Sequence, residues 1–404
     1  MTNRTRKRNR LHRGNRLLLY AALSLSACTL AGCSKSEPVQ SRSFALSDQA
    51  EFYVVAEDGM IGFKMEDDKP VQVSGENVEI RSHVYEDALF KARLQDRYLI
   101  FSDHAADDNI PSQVSIDFET GTILRKECKE GVSGQSASYY FNIRRPDRNQ
   151  HDALALYSPQ LKQLDTESSE NRIWFNCFEI ENDSGLITGM EVLEESKEMQ
   201  PPRYLDRVYS LSVKDGKLSF EPLTDENDDI DGSADEHYII SQSIDAGDVL
   251  FCLSTERDTS KQNHGPEELA MIDTVSSVIR FNPQTKRSER YELEQKDANR
   301  MKAVGDDLLA ISHDKLPVGD YGFTLFDCIN NTSRFINLDA LGVRWNVENQ
   351  LGILDFERLD DDTLMFLSPQ KIFGYNLNSE TIEFEMNIED AYGVPFEIWM
   401  CAQK

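Results

Sequence analysis

Positive charge is scarce in this chain. Lys and Arg number 43 against 71 Asp and Glu, a formal net charge of −28 over 404 residues. No long basic stretch follows the N-terminus, so the clustered cations that neutralise a phosphate backbone are missing and nucleic acid is excluded as a partner. No Cys-x-x-Cys pair occurs, which removes support for thiol redox chemistry or a thiolate zinc site. The histidines show no His-x-His or His-Glu-x-x-His spacing. A Gly-x-Ser-x-Gly elbow and a phosphate-cradling glycine loop are also absent. Long runs with a 3.6-residue apolar period are lacking too. Glu267 to Met271 is too short to count, and Leu338-Asp339-Ala340-Leu341 reads as a loop. An alternating strand–helix plan is therefore disfavoured. The 39% hydrophobic content still permits a core and argues against wholesale disorder.

What is present begins with an export address. Arg4, Arg6, Lys7, Arg8, Arg10, Arg13 and Arg16 form a leader without an acid, and a mostly apolar run from Leu17 to Leu30 follows directly. The run is too short and too one-sided for an ordinary spanning helix and fits a signal peptide. It ends in Leu30-Ala31-Gly32-Cys33, which resembles the lipobox of bacterial lipoproteins. That resemblance implies cleavage before Cys33 and a diacylglycerol on its thiol; Leu25-Ser26-Ala27-Cys28 fits the same pattern and makes Cys28 the minor alternative. Loss of seven leader cations would leave a mature chain of −35, repelled by anionic headgroups, so acyl chains rather than the protein surface would hold it at the membrane. Residues 1–32 are read as the lipoprotein signal peptide, 33–43 as a lipidated tether and 44–404 as the folded domain. The five body cysteines, Cys128, Cys177, Cys252, Cys328 and Cys401, cannot all pair with one another and are expected to be small buried hydrophobes.

The body repeats. Tyr98 to Ser102, Leu250 to Ser254, Leu308 to Ser312 and Leu364 to Ser368 are apolar runs closed by Ser, each starting two residues after an acid (Asp96, Asp248, Asp306, Asp362). The serine intervals of 152, 58 and 56 residues imply a unit of about fifty residues. A second landmark is an alternating strand, a turn and another alternating strand. It occurs at Ser115 to Phe118 before Gly121, Tyr209 to Val213 before Gly216, and Val278 to Phe281 before Asn282-Pro283. It recurs at Phe323 to Phe326 before Asn330-Asn331 and at Phe373 to Leu377 before Asn378. Looser copies lie at Met60 to Met65 and Leu154 to Tyr157. Asp-Gly, Asn-Asn and Thr-Gly supply the positive φ of tight hairpins. Seven hairpins over the 371 residues after Cys33 give about 53 per unit, enough for four strands and no helix.

On these units, and on a grammar such as Val54 to Ile61 followed by Pro70-Val71-Gln72-Val73, the chain resembles the seven-bladed β-propellers of the quinoprotein-like and YVTN-like superfamily. The fold so implied is all-β: a seven-bladed β-propeller of four-stranded antiparallel blades, closed by the C-terminal strand joining the first blade. Phe396 to Cys401, entered through Pro395, is the leftover strand expected to pair beside Phe52 to Ala56. The tryptophan docking pattern of true quinoprotein blades is missing, with only Trp174, Trp345 and Trp399 present, so no cofactor is expected.

Candidate B–C loops at His104 to Ser112, Arg145 to Asp152, Glu181 to Arg203, Glu256 to Val275 and Asp314 to Tyr321 would share one face, where binding usually resides on a rigid scaffold. Asn227, Asp229 and Asp231 ahead of Gly232, with Asp235 beyond, resemble a calcium loop; the bland alternative is a solvated acidic loop. His104 beside Asp103 and His313 beside Asp314 could act as an acid–base pair at the ring's mouth, with repeat packing the favoured reading. The function expected is a non-catalytic, lipid-anchored binding or scaffold module for a protein or glycan on the extracytoplasmic face, with no catalytic residue assigned. The alternative is an exported propeller enzyme of the lactonase, lyase or dehydrogenase type, working near the central channel.

Overall fold

In several repeated units the second strand is the most apolar, and the reason lies in where it ends up. Phe52–Ala56, Tyr98–Asp103 and Thr363–Leu367 are buried at every position, as a strand must be when neighbouring sheets cover both of its faces. Fourth strands alternate outward, as at Lys69–Asn77, Arg287–Glu292 and Thr381–Asn387. Burial thus falls from the inner strands to the rim of each sheet.

The computed structural model describes residues 37–81, 90–103, 111–128, 130–144, 152–168, 173–194, 203–225, 230, 238–256, 275–296, 298–313, 321–343 and 352–401. The first strands are β1 (Val39–Ser43), β2 (Phe52–Ala56), β3 (Gly59–Glu66) and β4 (Lys69–Asn77). Next come β5 (Ala92–Leu94), β6 (Tyr98–Asp103), β7 (Ser112–Asp117) and β8 (Thr122–Glu127). They are followed by β9 (Val132–Gln135), β10 (Tyr140–Arg144), β11 (Ala153–Tyr157) and β12 (Gln163–Ser168). The middle of the chain supplies β13 (Ile173–Phe175), β14 (Cys177–Ile180), β15 (Ser184–Glu194), β16 (Arg203–Lys214) and β17 (Lys217–Pro222). Then follow β18 (Tyr238–Asp245), β19 (Leu250–Glu256), β20 (Ser276–Asn282) and β21 (Arg287–Glu292). After these run β22 (Ala298–Ala303), β23 (Leu308–His313), β24 (Gly322–Asp327) and β25 (Thr332–Asn337). The last are β26 (Asp355–Arg358), β27 (Thr363–Leu367), β28 (Lys371–Asn376), β29 (Thr381–Asn387) and β30 (Pro395–Met400). Among the described residues there is no α-helix, and none long and apolar enough to cross a membrane.

The arrangement is an all-β propeller. Five blade-sized sheets stand alone: β30-β2-β3-β4, β1-β8-β7-β6-β5, β13-β15-β16-β17, β22-β23-β24-β25 and β26-β27-β28-β29. That corrects the expectation of seven separate blades, because the remaining strands form one nine-stranded sheet, β12-β11-β10-β9-β14-β18-β19-β20-β21. The physical cause is β14. β13 pairs with β15 up to Phe175 opposite Gly189, and Asn176 still holds Thr188 through Nδ2 to Oγ1 at 3.0 Å. Beyond Asn176 the chain pairs parallel with β9 on one side and β18 on the other. Phe178 lies opposite Gly134, where a Cβ would come within 2.4 Å of its ring, so glycine there is what lets the two strands approach.

The C-terminal strand closes the ring as the sequence implied: β30 runs antiparallel to β2, with Phe52 opposite Met400 and Val54 opposite Ile398. Apolar layers fill the gaps between neighbouring strand units, for example Phe323, Phe356 and Phe366 in one gap and Phe52, Met365 and Ile398 in the gap that joins the last unit to the first. All the expected hairpins are present, with Gly121, Gly216 and Asn331 at positive φ of 69°, 70° and 53°. The expected tether is corrected in part, since Val39–Ser43 is β1, an added strand paired with β8. The loop expected from Glu181 to Arg203 is also corrected, because β15 occupies Ser184–Glu194. There Leu186, Ile187 and Thr188 are buried in succession, and a run with β-branched residues covered on both faces builds a strand in place of a loop.

Candidate functional site at the ring axis

A β-strand sends alternate side chains to opposite faces, so a leading strand carrying charge at every second position lines up those charges along one side. β26 does this with Asp355 and Glu357, and β22 with Arg300 and Lys302. β5 contributes Arg93, with Lys91 just before it, and β30 contributes Glu397. The structure brings all seven together.

Lys91 Nζ donates to Glu397 Oε2 at 2.6 Å and to the Phe396 carbonyl. Arg93 donates from Nε to Glu397 Oε1 at 2.7 Å, pairs with Glu357, and reaches Asp355 Oδ2 from Nη2 at 3.2 Å. Its guanidinium lies 5.6 Å from the Trp399 ring centroid, a favourable cation–π distance. Lys302 Nζ donates to Asp355 Oδ1 at 2.9 Å, to the Phe356 carbonyl at 2.6 Å and to Glu357 Oε2 at 3.2 Å. Arg300 donates to the Leu354 carbonyl at 3.0 Å and lies 3.8 Å from Asp355. Asp355 also accepts the Ile398 amide at 2.9 Å. Side-chain exposure runs from 0% at Asp355 to 26% at Arg300, so the cluster is sealed at one end and reached by water at the other.

The same contacts travel around the axis. β5 is joined to β30 and β26 through Arg93, and β26 to β22 through Lys302. β22 is joined to β18 by a two-way bond, Gln242 Nε2 to the Met301 carbonyl at 2.6 Å and the Met301 amide to Gln242 Oε1 at 3.0 Å. β18, β14 and β9 share backbone ladders. Gln135 on β9 then accepts the Arg93 amide at 2.6 Å and returns the circuit to β5.

Electrostatics follow from burial and pairing. Burial pulls the Lys91 ammonium down to about 8, with Glu397 opposing the fall. Burial alone would raise Asp355 and Glu397, yet Lys302, Lys91 and Arg93 around the first, and Arg93 and Lys91 around the second, hold both below the ordinary carboxylate range. Glu179 on β14 goes the other way: burial raises it, against the pull of Lys302, a hydrogen bond from Gln135, Arg93 and Arg300. The axis therefore holds four cations and four acids, with a proton most readily held at Glu179 and most readily lost from Lys91.

The residues singled out from sequence fare differently. His313 closes β23 with Nδ1 2.8 Å from the Lys296 carbonyl and Nε2 2.7 Å from Thr324 Oγ1, and burial pushes it down to about 4. It is a neutral packing residue at neutral pH, and its equivalent at the end of β6 is Asp103, bound to Arg125 at 2.5 Å. His104, Cys33, Cys28 and the acidic loop Asn227, Asp229, Asp231, Gly232 and Asp235 lie outside the described residues, as do residues 104–110, 145–151, 195–202, 257–274 and 314–320 of the expected B–C loops. Cys177, Cys252, Cys328 and Cys401 are in no disulfide, and of these four only Cys252 is buried, whereas Cys128 is disulfide-bonded, a departure from the expected uniform role of small buried hydrophobes. Among the described residues no cluster of three or more His, Cys, Asp or Glu could hold a metal. The axial charges were missed by motif reading, although the spacing Asp-Phe-Glu, Arg-Met-Lys and Phe-Glu-Ile at unit-leading strands was a visible signal.

No family model and no curated protein matches the sequence. Solved structures do resemble the fold. AztD from Citrobacter koseri, in its apo form, superposes with a TM-score of 0.45 and 9% identity over 86% of this chain and 95% of that one. The Cps50 (Swd1) β-propeller domain of Myceliophteria thermophila gives 0.40 and 10% over 75% and 87%. TolB from Acinetobacter baumannii gives 0.38 and 7% over 75% and 66%. No activity is carried over from likeness of this degree.

Proposed function

We propose that the chain is an exported lipoprotein, anchored through Cys33, whose seven-bladed propeller of the quinoprotein-like/YVTN-like kind serves as a non-catalytic binding or scaffold module for a protein or glycan. The observation that carries this reading is the axis itself. Where a propeller enzyme needs a reaction chamber, Lys91, Arg93, Lys302, Asp355 and Glu397 satisfy one another across facing strands, which favours a rigid hub that displays loops. The count of seven is supported by seven apolar layers between successive units and treats the nine-stranded sheet as two blades bridged by β14. With β1 docked on β8, only residues 34–38 separate Cys33 from the folded body, a reach of at most about 18 Å. The body is then held close to the bilayer.

A second reading, an exported enzyme of the lactonase, lyase or dehydrogenase type, draws on the perturbed Lys91 and Glu179 at the axis, since shifted titrations gather at catalytic sites. Two measurements separate the readings. Labelling with an alkyne palmitate analogue is expected in the wild type and in Cys28→Ser, and lost in Cys33→Ser. The full chain in vesicles is expected to capture an envelope protein or glycan, with capture lost when the loop between Glu256 and Val275 is shortened. Palmitate incorporation unchanged in Cys33→Ser would overturn the anchor, and turnover of a lactone or polysaccharide that disappears in Glu397→Gln would overturn the non-catalytic reading.

A further inference from the structure

Among the described residues one buried cation has no hydrogen-bonding anion. Arg81 follows β4, at the start of the connection to β5, and is 1% exposed. Its own amide and that of Ile80 both donate to the Glu57 carbonyl, at 3.0 and 2.7 Å, which fixes the backbone. The guanidinium lies 5.9 Å from the Phe101 ring centroid and 5.4 Å from that of Phe396. Its Nε and Nη2 have no partner.

The carboxylates whose fields reach it are engaged elsewhere. Asp103 is bound to Arg125, and Glu57 Oε2 accepts the Val394 amide at 3.3 Å. Lys91, 5.7 Å from the same Phe396 ring, is bound to Glu397. Buried N–H groups are almost always satisfied, and an unmade bond from a charged donor is costly. Burial accordingly lowers the basicity of Arg81, against the raising influence of Asp103 and Glu57.

The Nε/Nη2 edge, unbonded among the described residues, is the one this protein uses elsewhere to grip a carboxylate. In Arg97, Nε donates to Asp117 Oδ1 at 2.9 Å and Nη2 to Asp117 Oδ2 at 2.7 Å. A planar guanidinium fork matches a carboxylate in two parallel bonds. We propose that Arg81 is the receptor of a bidentate carboxylate-binding site, walled by Phe101 and Phe396, that takes a small carboxylate ligand on its Nε/Nη2 edge. Two parallel donors on one edge match the two oxygens of a planar carboxylate better than a tetrahedral or spherical anion. This goes beyond the scaffold reading and stands or falls without it.

The test uses the full chain, extensively dialysed, titrated calorimetrically with sodium acetate, inorganic phosphate and sodium chloride at matched ionic strength. One-to-one acetate binding is expected, weaker for phosphate and absent for chloride. Arg81→Lys keeps the charge but loses the fork, and should weaken acetate at least tenfold, while Arg97→Lys leaves it unchanged. The Arg81 Nε–H resonance should move downfield on adding acetate, a readout that needs no variant to fold. If a carboxylate co-purifies, mass spectrometry of the denatured wild type should release it and that of Arg81→Lys should not. Neither acetate heat nor a co-purified carboxylate, phosphate bound more tightly than acetate, or equal binding by Arg81→Lys would each overturn the assignment.

Discussion

Replacing Glu397 by Gln tests whether the axial cluster acts as a paired network or as incidental charge. The substitution keeps shape and removes one charge. Lys91 and Glu397 side chains are 2% and 1% exposed and meet at 2.6 Å, so neither has water to fall back on. After the change Lys91 keeps the carbonyls of Phe396 and, at 3.5 Å, Leu354, and a neutral amide oxygen in place of the carboxylate it paired with. Breaking a buried pair from one side costs roughly 3–5 kcal/mol, because the remaining charge stays desolvated. Arg93 adds little to that figure, since it is 23% exposed and still faces Asp355 and Glu357. The assay is the urea unfolding midpoint of the full chain in detergent, with the slope checked for constancy. Lys91→Met in the Glu397→Gln background should then recover stability, because an apolar replacement of a whole buried pair is often neutral. A Glu397→Gln protein within about 1 kcal/mol of wild type, or a double variant as unstable as the two losses added, would refute the reasoning.

Lys91 also predicts a pH response. Its folded value of about 8 lies below the unfolded 10.5, so between those values the unfolded chain binds a proton that the folded chain has released, and stability rises with pH by up to about 1.4 kcal/mol per unit. Urea midpoints from pH 8 to 9.5, below the range where tyrosines ionise, should climb in the wild type and stay flat in Lys91→Met; parallel curves would sink the assignment. Gly134→Val should drive β14 from its place, since the added carbon would meet Phe178, at a cost of about 1–3 kcal/mol. Phe178→Ala should relieve part of that loss. Strict additivity of the two, within about 0.5 kcal/mol, would show that they do not meet.

The hairpin grammar was legible because each signal is local. Asp117, Asn282, Asp327 and Asn376 each accept two amides of the turn that follows, so turn chemistry repeats in the sequence where it repeats in space. The Ser-closed runs were legible for a different reason. They end second strands, where both faces are covered, and Ser102 Oγ accepts the Val132 amide of the next unit at 2.9 Å. Ser312 and Ser368 instead bond carbonyls of their own sheets, so what repeats is the doubly covered apolar strand and not the joint.

The bridging strand and the axial charges were hidden because they depend on partners far away in sequence. Ile173 to Ile180 reads as one continuous strand, and nothing within it says that it changes sheets at Asn176. That follows only from a glycine at 134 and a vacancy between β9 and β18. Likewise Glu397 and Lys91 are separated by 306 residues, and each alone looks like a solvated charge on a strand edge. Circular closure converts both into interior features, since a leading strand faces its counterparts across the axis instead of solvent. A charge at alternate positions of a leading strand is then affordable only where an opposite charge stands on a neighbouring leading strand. Arg93 and Lys302 meet Asp355 and Glu357 on those terms, so the pairing of signs between units carries the order of the ring in a form that no single unit contains.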